Sequence, residues 1–327
     1  MIINIIFTII GFVLLIKGAD LLVDGASYIA KKFNIPEIVI GLTIVSIGTS
    51  MPELVVSLTS AVEGYSDIAL GNVIGSNITN MFLILGLCAV IRPLTFKKET
   101  RLIENPITLV ITIVFFIVCL FGLGYQQITQ TEGVILLVLC VGFIIYNIIM
   151  AKEGEEFDKE EGIELSPEPK LKGKKRKILK ALIYLALGIT ALKFGGDLVV
   201  NNTVRIAGIL GISEKIISLT IVAFSTSLPE LITSVTATRK GDTDMAIGNI
   251  LGSQIFNIVL IIGLASFIYP INYSTEYNKE IILLVLGTIM LGLYPFIGKK
   301  NTMTRTNGAI FLSIYFTYMI NIVLTNI

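Results

Sequence analysis

The sequence contains no histidine among its 327 residues, and only 15% of its residues are charged. Without histidine the chain cannot build a Ser-His-Asp hydrolase site, an imidazole-ligated zinc centre or the usual proton relay near neutral pH. A soluble domain of this length needs more polar surface to cover its core, since 54% of the residues are apolar. These shortages exclude an ordinary soluble enzyme. They leave carboxylates, hydroxyls, amides and backbone carbonyls as the groups from which a site can be built.

Neither sign of charge dominates, and cysteine is scarce. The chain has 25 Lys and Arg residues against 24 Asp and Glu residues, so its net charge of +1 offers no basic field for nucleic acid. The three cysteines, Cys88, Cys119 and Cys140, lie within apolar runs and lack the spacing of a metal site or a redox pair. We expect them to act as small apolar side chains.

Long apolar runs are what the sequence has in abundance. A bilayer core about 30 Å thick needs about 20 apolar residues per helix, and the repeated runs predict an all-α polytopic membrane protein. The ten predicted transmembrane helices cover residues 2–30, 36–61, 68–91, 102–122, 128–150, 178–207, 213–238, 245–269, 279–297 and 307–325. No basic segment precedes the first run, so we expect a retained span rather than a signal peptide.

Charge is concentrated in residues 151–177, which separate a first half at 1–150 from a second half at 178–327. The composition of this linker, which includes Pro167 and Pro169, predicts a solvated loop. Its acidic first part could also bind calcium loosely. That interpretation is less favoured because the segment lacks the ligand pattern of a dedicated calcium loop.

The distribution of Lys and Arg predicts the orientation in the membrane. If the linker is cytoplasmic, only Arg205, Lys215 and Lys279 remain in outer loops, while Lys17 and Lys193 fall within spans. The positive-inside rule then predicts a multi-pass protein of the cell membrane with both termini outside.

The two halves repeat each other at a constant offset of 177 residues, since Gly11 aligns with Gly188 and the alignment runs without a gap to Pro93 and Pro270. The shared segments are LTIVSIGTSMPEL at Leu42–Leu54 with LTIVAFSTSLPEL at Leu219–Leu231, and GNVIGSNITN at Gly71–Asn80 with GNILGSQIFN at Gly248–Asn257. Polar residues shared at one offset indicate duplication rather than similar composition. Because each half has five spans, the second copy must enter the membrane from the opposite side. Such inverted repeats place a binding site at mid-membrane and operate by alternating access.

Two glutamates, Glu53 and Glu230, occupy equivalent positions near the middle of long apolar spans. An ionisable group at that depth costs at least ~2.5 kcal/mol, so its occurrence in both copies indicates a function. The alternative is a pair of protonated or capped glutamates that only join helices.

Hydroxyl side chains accompany both glutamates on the same helix faces. The candidate ligands around Glu53 and Glu230 are Ser46, Thr49 and Ser50 in the first copy, and Ala223, Thr226 and Ser227 in the second.

Prolines directly before the glutamates, Pro52 and Pro229, lack the N–H that would bond the carbonyl four residues earlier. Non-helical backbone at this depth is tolerated only where it is buried or lines a polar cavity. We therefore expect broken helices whose released carbonyls, including those of Ser46 and Ala223, help to bind a cation.

A second polar face follows in each copy, with residues four apart along a helix. Its members are Asn72, Ser76 and Asn80 in the first copy, and Asn249, Ser253 and Asn257 in the second. Glycine pairs of the GxxxG type on the same segments predict close helix approach, which would bring this face against the glutamates. Asn72 and Asn249 are either ligands or hydrogen-bond partners between helices.

The resulting site would contain only oxygen ligands. Hard cations suit it, since Ca²⁺ takes six to eight oxygens and soft metals prefer sulfur or imidazole. Two carboxylates would neutralise one Ca²⁺ or several Na⁺ ions, so the two cations would compete. Exchange of three Na⁺ for one Ca²⁺ would move one charge per cycle, worth ~2.3 kcal/mol per 100 mV.

Four further acids stand at or near span ends. Asp20 and Asp197, with Lys17 and Lys193 nearby, either line the access path or form ion pairs. Asp67 and Asp244 precede the third and eighth spans and are expected to stabilise those helix N-termini.

On these motifs the chain resembles the calcium/cation antiporter superfamily, in its sodium/calcium exchanger-like branch. The resemblance covers all ten predicted spans, and its specific part is GTSMPE at Gly48–Glu53, STSLPE at Ser225–Glu230 and the two GN segments. It implies Na⁺ and Ca²⁺ as transported ions at one central site, with no bound cofactor, and sliding of the first and sixth helices past the other eight. The residues that it implies as ligands are Thr49, Ser50, Glu53, Ser76 and Asn80, with Thr226, Ser227, Glu230, Ser253 and Asn257.

The chain departs from the family pattern at two positions, of which the first concerns the helix break and the second the choice of ions. Ser225 replaces the usual glycine of the second GTS motif, and Asn257 stands where potassium-dependent exchangers carry Asp. Gly75 and Gly252 occupy the position at which proton/calcium exchangers usually carry glutamate. These residues favour Na⁺/Ca²⁺ exchange over K⁺ co-transport, with H⁺/Ca²⁺ exchange as the alternative.

Two other classes of function are less favoured. A cation channel could also use a ring of carboxylates, but an inverted repeat with broken helices is typical of a carrier. An intramembrane enzyme lacks any histidine base or metal ligand. The sequence leaves open the oligomeric state, including a monomer.

Overall fold

A computed structural model of the protein describes residues 2–33, 35–98, 100–124, 126–160, 171–209, 223–296 and 301–326. These residues are mostly helical. The helices are α1 (Ile2–Phe33), α2 (Glu37–Thr49), α3 (Met51–Val62), α4 (Ser66–Ile91), α5 (Thr100–Phe121), α6 (Gln130–Glu160), α7 (Leu171–Ile209), α8 (Ala223–Thr226), α9 (Leu228–Lys240), α10 (Thr243–Ile268), α11 (Asn278–Leu293) and α12 (Arg305–Asn326).

The expected membrane protein is confirmed in outline. By length and apolar composition, α1, α4, α5, α6, α7 and α10 can each cross a bilayer, and α2 with α3 makes a seventh span bent by 50°. Part of the seventh predicted span, residues 213–222, lies outside the described residues, so the count of ten stays a prediction.

Two helices form the centre of the protein. The most apolar segments of α4 and α10 are 72% and 83% buried, against 28%, 22% and 28% for α1, α6 and α7. The outer helices instead expose large apolar side chains, among them Phe7, Val138 and Leu182. An apolar exterior around a core that holds buried carboxylates and amides is the arrangement expected in a lipid environment.

Helices α1 and α7 pack against each other in opposite directions through glycines. A Cβ atom on Gly18 would lie 3.0 Å from the carbonyl oxygen of Gly188, and one on Gly11 would lie 2.8 Å from that of Gly195. Residue numbers therefore rise along α1 as they fall along α7. The offset of 177 makes Gly11 equivalent to Gly188 and Gly18 equivalent to Gly195. The contacts of Gly11 with Gly195 and of Gly18 with Gly188 are therefore equivalent to each other.

Glycines also bring α10 against α2. A Cβ atom on Gly248 would lie 2.5 Å from the Ile38 carbonyl oxygen, and one on Gly252 would lie 2.6 Å from Ser46 Oγ. The expected close approach through this GxxxG pair is confirmed. Gly71 is equivalent to Gly248, but a Cβ atom on Gly71 would instead lie 3.2 Å from the hydroxyl oxygen of Tyr277.

Two short antiparallel ladders, which the sequence does not predict, join the copies. Strand β1 (Leu94–Thr95) pairs with β4 (Thr302–Met303), and β2 (Gln127–Ile128) pairs with β3 (Ile271–Asn272). With the offset of 177, β1 corresponds to β3. The equivalent strands β1 and β3 therefore each pair with a strand from the other copy.

The predicted linker at 151–177 is not a loop over its whole length. Helix α6 continues to Glu160 and α7 begins at Leu171, so helical backbone extends into both ends of the predicted loop 151–177. Glu and Lys are good helix formers, which explains how a charged segment continues a helix beyond the apolar run. The middle of the linker, residues 161–170, lies outside the described residues.

Candidate cation site

The site is built around two equivalent helix breaks. Helix α2 ends at Thr49, and Ser50 has φ −82° and ψ 10°; Ser227, between α8 and α9, has φ −82° and ψ 3°. Pro52 and Pro229 follow as second residues of the next helices, where a missing N–H is tolerated. The predicted broken helices are thus present in both copies.

The two glutamates lie in the first turns of α3 and α9 and are completely buried. The hydroxyl of Ser50 donates to Oε1 of Glu230 at 2.7 Å, and Ser253 Oγ donates to the same oxygen at 3.4 Å. Ser50 stands at the N-cap of α3, where a serine ordinarily bonds its own helix. Its hydroxyl instead reaches the carboxylate of the other copy.

Glu53 has a different environment. It interacts electrostatically with Glu230 and lies near Thr226 and Ser227. Within the described part of the chain, neither carboxylate oxygen of Glu53 accepts a hydrogen bond, and Oε2 of Glu230 and Oγ of Ser227 also lack a partner. Buried polar atoms almost always have partners, so this group of unpartnered oxygens identifies a place suited to a cation.

Two hydrogen-bonded chains cross between the copies. Thr49 Oγ1 donates to Asn249 Oδ1 at 3.1 Å, and Asn249 Nδ2 donates to Ser234 Oγ at 2.9 Å. Thr226 Oγ1 donates to Asn72 Oδ1 at 3.2 Å, and Asn72 Nδ2 donates to Ser57 Oγ at 2.9 Å. The offset of 177 converts one chain into the other. Asn72 and Asn249 therefore act as hydrogen-bond partners between helices.

Ser57 and Ser234 were not among the predicted site residues. Each lies four residues after a glutamate and is completely buried. Their shared position in the repeat was the available signal, because 57 aligns with 234.

The remaining predicted ligands lie on the α4 and α10 faces. Ser76 Oγ is 3.2 Å from Thr226 Oγ1. Asn80 and Asn257 are completely buried and lie in or at the π-helical stretches Thr79–Ile84 and Asn257–Ile262. Such π segments are frequent at functional sites. Among the residues the structure describes, neither amide atom of Asn80 has a hydrogen-bond partner, and Asn257 lacks one at Oδ1.

The Ser46 carbonyl is not released in this conformation, and its expected role as a cation ligand stays a prediction. This oxygen accepts a hydrogen bond from the Ser50 N–H at 2.9 Å. Thr49 Oγ1 lies 3.3 Å away and has a single hydrogen, which can go either to this oxygen or to Asn249 Oδ1. The proline at 52 removes the donor for residue 48, not for residue 46. The Ser46 hydroxyl donates to the Thr43 carbonyl at 3.2 Å. Ala223 begins α8, and the residues before it lie outside the described part.

Three of the four outlying acids, Asp20, Asp67 and Asp244, lie in an ion pair or at the start of a helix. Asp20 Oδ1 lies 3.2 Å and Asp24 Oδ1 2.8 Å from Nζ of Lys240, so the ion pair on α1 involves a lysine of α9 rather than Lys17. Asp67 and Asp244 lie in the first turns of α4 and α10, as expected. In the described ranges, no three Asp, Glu or Cys side chains gather into a group that could hold a metal.

Comparison with protein families and with curated proteins gives matches over nearly the whole chain. The family described as "Sodium/calcium exchanger protein" matches residues 3–149 and 180–324. The putative antiporter CaxA of Alkalimonas amylolytica is 35% identical, covering 97% of this chain and 98% of that protein. The sodium/calcium exchanger MaX1 of Methanosarcina acetivorans is 31% identical, covering 97% and 98%.

A solved structure has the same fold. The sodium-calcium exchanger NCX_Mj, soaked with Na⁺ and Ca²⁺, superposes with a TM-score of 0.82 at 30% sequence identity. The match covers 97% of each chain.

Proposed function

Because the chain belongs to the sodium/calcium exchanger protein family, we propose that it is a secondary antiporter that exchanges Na⁺ for Ca²⁺ at the site formed by Glu53 and Glu230. Antiport of a cation against Ca²⁺ is supported by the family match and by the likeness to NCX_Mj. The relatives are transporters rather than enzymes. Na⁺ as the coupling ion is favoured by the family description and by Gly75 and Gly252, which stand where proton/calcium exchangers usually carry glutamate.

The observation that carries the proposal is the burial of two carboxylates from opposite copies next to unpartnered oxygens. A buried charge needs a counter-charge, or it becomes strongly destabilising. One Ca²⁺ would match both carboxylates, and its flexible coordination suits ligands drawn from several helices.

The proposed ligand set follows from this arrangement. The carboxylates of Glu53 and Glu230 hold the charge, and neutral oxygens complete the shell. The proposed ion-binding residues are Ser46, Thr49, Ser50, Glu53, Ser76 and Asn80, with Ala223, Thr226, Ser227, Glu230, Ser253 and Asn257. Ser46 and Ala223 would contribute backbone carbonyls, and the Thr49 hydroxyl would turn away from the Ser46 carbonyl when an ion binds there.

Competition for the same two carboxylates would couple the ions. Na⁺ ions spread over these oxygens would satisfy the charge that Ca²⁺ otherwise satisfies, so binding of one weakens binding of the other. In a carrier that exposes the site to one side at a time, this competition drives exchange.

We propose ten transmembrane helices in two inverted five-helix copies at 1–150 and 178–327, joined by a cytoplasmic linker at 151–177. The antiparallel pairing of α1 with α7 and the exchanged strand pairs support opposite orientations of the two copies. Both termini would face outward from the cell membrane. By the family resemblance, α1 and α7 would slide past the other helices to change access.

Transport into proteoliposomes tests the proposal. An outward Na⁺ gradient should drive uptake of ⁴⁵Ca²⁺ at constant pH and without K⁺, and Glu53→Gln and Glu230→Gln should each abolish it. Glu63→Gln is the matched control, because Glu63 is an exposed acid just after α3.

The outcomes separate the alternatives. Uptake that follows only a pH gradient would replace Na⁺ by H⁺ as the coupling ion. Uptake that runs down the Ca²⁺ gradient without any counter-ion would indicate a channel. Wild-type rates in both glutamate variants would remove the site.

A further inference from the structure

We propose that Asn77, which is not in the ligand set, is a positioning residue that turns the side-chain oxygen of Asn257 towards the transported cation. The inference rests on the proposed function, since it assumes that Asn257 is a ligand. Both side chains are completely buried.

The orientation of the Asn77 amide follows from a backbone group. Asn77 Nδ2 donates to the carbonyl oxygen of Gln254 at 3.4 Å. A carbonyl can only accept a hydrogen bond, so the nitrogen of Asn77 must face it. The other end of the amide, Oδ1, therefore faces Asn257.

This orientation dictates the next one. Asn257 Nδ2 donates to Asn77 Oδ1 at 2.9 Å, and a flipped Asn257 would set two oxygens against each other. Oδ1 of Asn257 must then point away from Asn77. Within the described residues it has no hydrogen-bond partner.

Asn257 projects from the helix face of α10 that also carries a contact to Glu230. Asn257 lies one turn after Ser253 on α10, so the two side chains share a helix face. Ser253 Oγ donates to Glu230 Oε1. For a cation the end of the amide matters, because the oxygen is a ligand and the NH₂ group presents positive hydrogens. By accepting a hydrogen bond from Nδ2 of Asn257, Asn77 leaves Oδ1 of Asn257 as the end of the amide that can face a cation.

The equivalent residues of the other copy, Gln254 and Asn80, do not form this hydrogen bond in the described structure. The offset of 177 carries Asn77 to Gln254 and Asn257 to Asn80. Gln254 is longer by one methylene, and its Nε2 donates to Thr112 and Thr288 at 3.2 Å each, on α5 and α11. It therefore ties α10 to the surrounding helices. One amide ligand is held by a neighbour, and the amide of Asn80 has no such partner among the described residues.

A double-mutant cycle tests the assignment. Asn77→Leu keeps the side-chain size but removes the acceptor. Loss of an outer hydrogen-bond partner of a metal ligand costs 10- to 100-fold in affinity, so the KM for Ca²⁺ should rise at least about tenfold, with kcat changing much less. In the Asn257→Asp background both side-chain ends are oxygens, so orientation no longer matters and the end near Asn77 can only repel its Oδ1. There Asn77→Leu should not raise the KM for Ca²⁺.

Gln254→Leu is the matched control. It removes an equally buried amide at the equivalent position, but the Gln254 carbonyl that holds Asn77 remains. Its KM for Ca²⁺ should stay near wild type even where its thermal stability falls. If Asn77→Leu does not fold, Asn77→Ala, which has a smaller side chain, replaces it in the same double-mutant cycle.

Two results would overturn the inference while the proposed function stands. Transport abolished by Glu53→Gln together with an unchanged KM in Asn77→Leu would remove the role of Asn77. An equal rise in KM in both Asn257 backgrounds would make Asn77 a packing residue. Absence of any Ca²⁺ transport by the wild-type protein would instead refute the proposed function itself.

Discussion

The hydroxyl of Ser50 donates a 2.7 Å hydrogen bond to Oε1 of Glu230, from the break in one copy to the carboxylate of the other. The equivalent pair, Ser227 and Glu53, makes no such bond. The hydrogen bonding of the two carboxylates therefore differs in this conformation, although the sequences around Glu53 and Glu230 are nearly the same. Glu230 accepts a short hydrogen bond from the other copy, and Glu53 accepts none of that geometry from the described residues.

Ser50→Ala is expected to destabilise the protein more than Ser227→Ala. Removing the Ser50 hydroxyl takes the 2.7 Å bond from a buried acceptor and leaves the longer 3.4 Å bond from Ser253, at a cost of about 1–3 kcal/mol. Thermal unfolding in detergent without Ca²⁺ measures the difference. With saturating Ca²⁺ the gap between the two variants should narrow, because the ion replaces the lost partner. Equal melting temperatures without Ca²⁺ would contradict this role of Ser50.

Glu53→Gln is expected to leave the ion-free protein at least as stable as wild type, because it removes one of two buried like charges. The same variant should lose stabilisation by Ca²⁺, which amounts to about 2.7 kcal/mol at a concentration 100 times Kd for a single site. Melting curves with chelator and with Ca²⁺ give both quantities. Glu63→Gln should behave as wild type in both, and a Ca²⁺ response retained by Glu53→Gln would contradict the site.

Divalent cations should stabilise the protein selectively. Ca²⁺ and Sr²⁺ should raise the melting temperature, since large cations accept irregular shells of six to eight oxygens. Mg²⁺ at the same concentration should raise it much less, because it demands near-octahedral geometry and releases water reluctantly. Equal stabilisation by Mg²⁺ would contradict a site built from ligands of several helices.

Adjacent glycines on α7 should respond in opposite ways to alanine. A Cβ atom at Gly195 would meet the Gly11 carbonyl at 2.8 Å and the Leu15 nitrogen at 2.9 Å, and both are backbone atoms. Gly195→Ala should therefore separate α1 from α7 and lower stability and transport. A Cβ atom at Gly196 meets nothing within 4 Å, so Gly196→Ala should gain up to about 1 kcal/mol from helix propensity. Melting temperature and ⁴⁵Ca²⁺ uptake measure both variants, and equal losses would contradict the close packing.

Local patterns in the sequence predicted most of the helices. Predicted span 68–91 became α4 at Ser66–Ile91, because apolar length and the turn residues at its ends are local properties. The strand pairs were missed, since each strand has two residues and its partner lies more than 140 residues away. The break before Glu53 was predicted from Pro52, but the state of the Ser46 carbonyl was not, because it depends on the backbone path through the break.

The candidate site was predicted in its residue types and missed in its connections. The repeat pointed to Glu53 and Glu230, and the hydroxyl and amide residues followed from helix spacing. Ser57, Ser234 and Asn77 were missed because their roles arise only when α3, α4, α9 and α10 meet. Asn77 in particular differs from its equivalent Gln254 by one methylene, and nothing local in the sequence shows which amide each would reach.

The sequence by itself determined that this protein belongs in a membrane, that its chain contains two repeated halves, and that a cation site in it would be built from oxygen ligands. These properties depend on composition and on polar residues repeated at one offset. The tertiary structure decided which copy's hydroxyl serves which carboxylate and which end of each amide faces the site. Those choices depend on contacts between residues far apart in the chain, where a difference of about one bond length in side-chain reach decides which hydrogen bond forms.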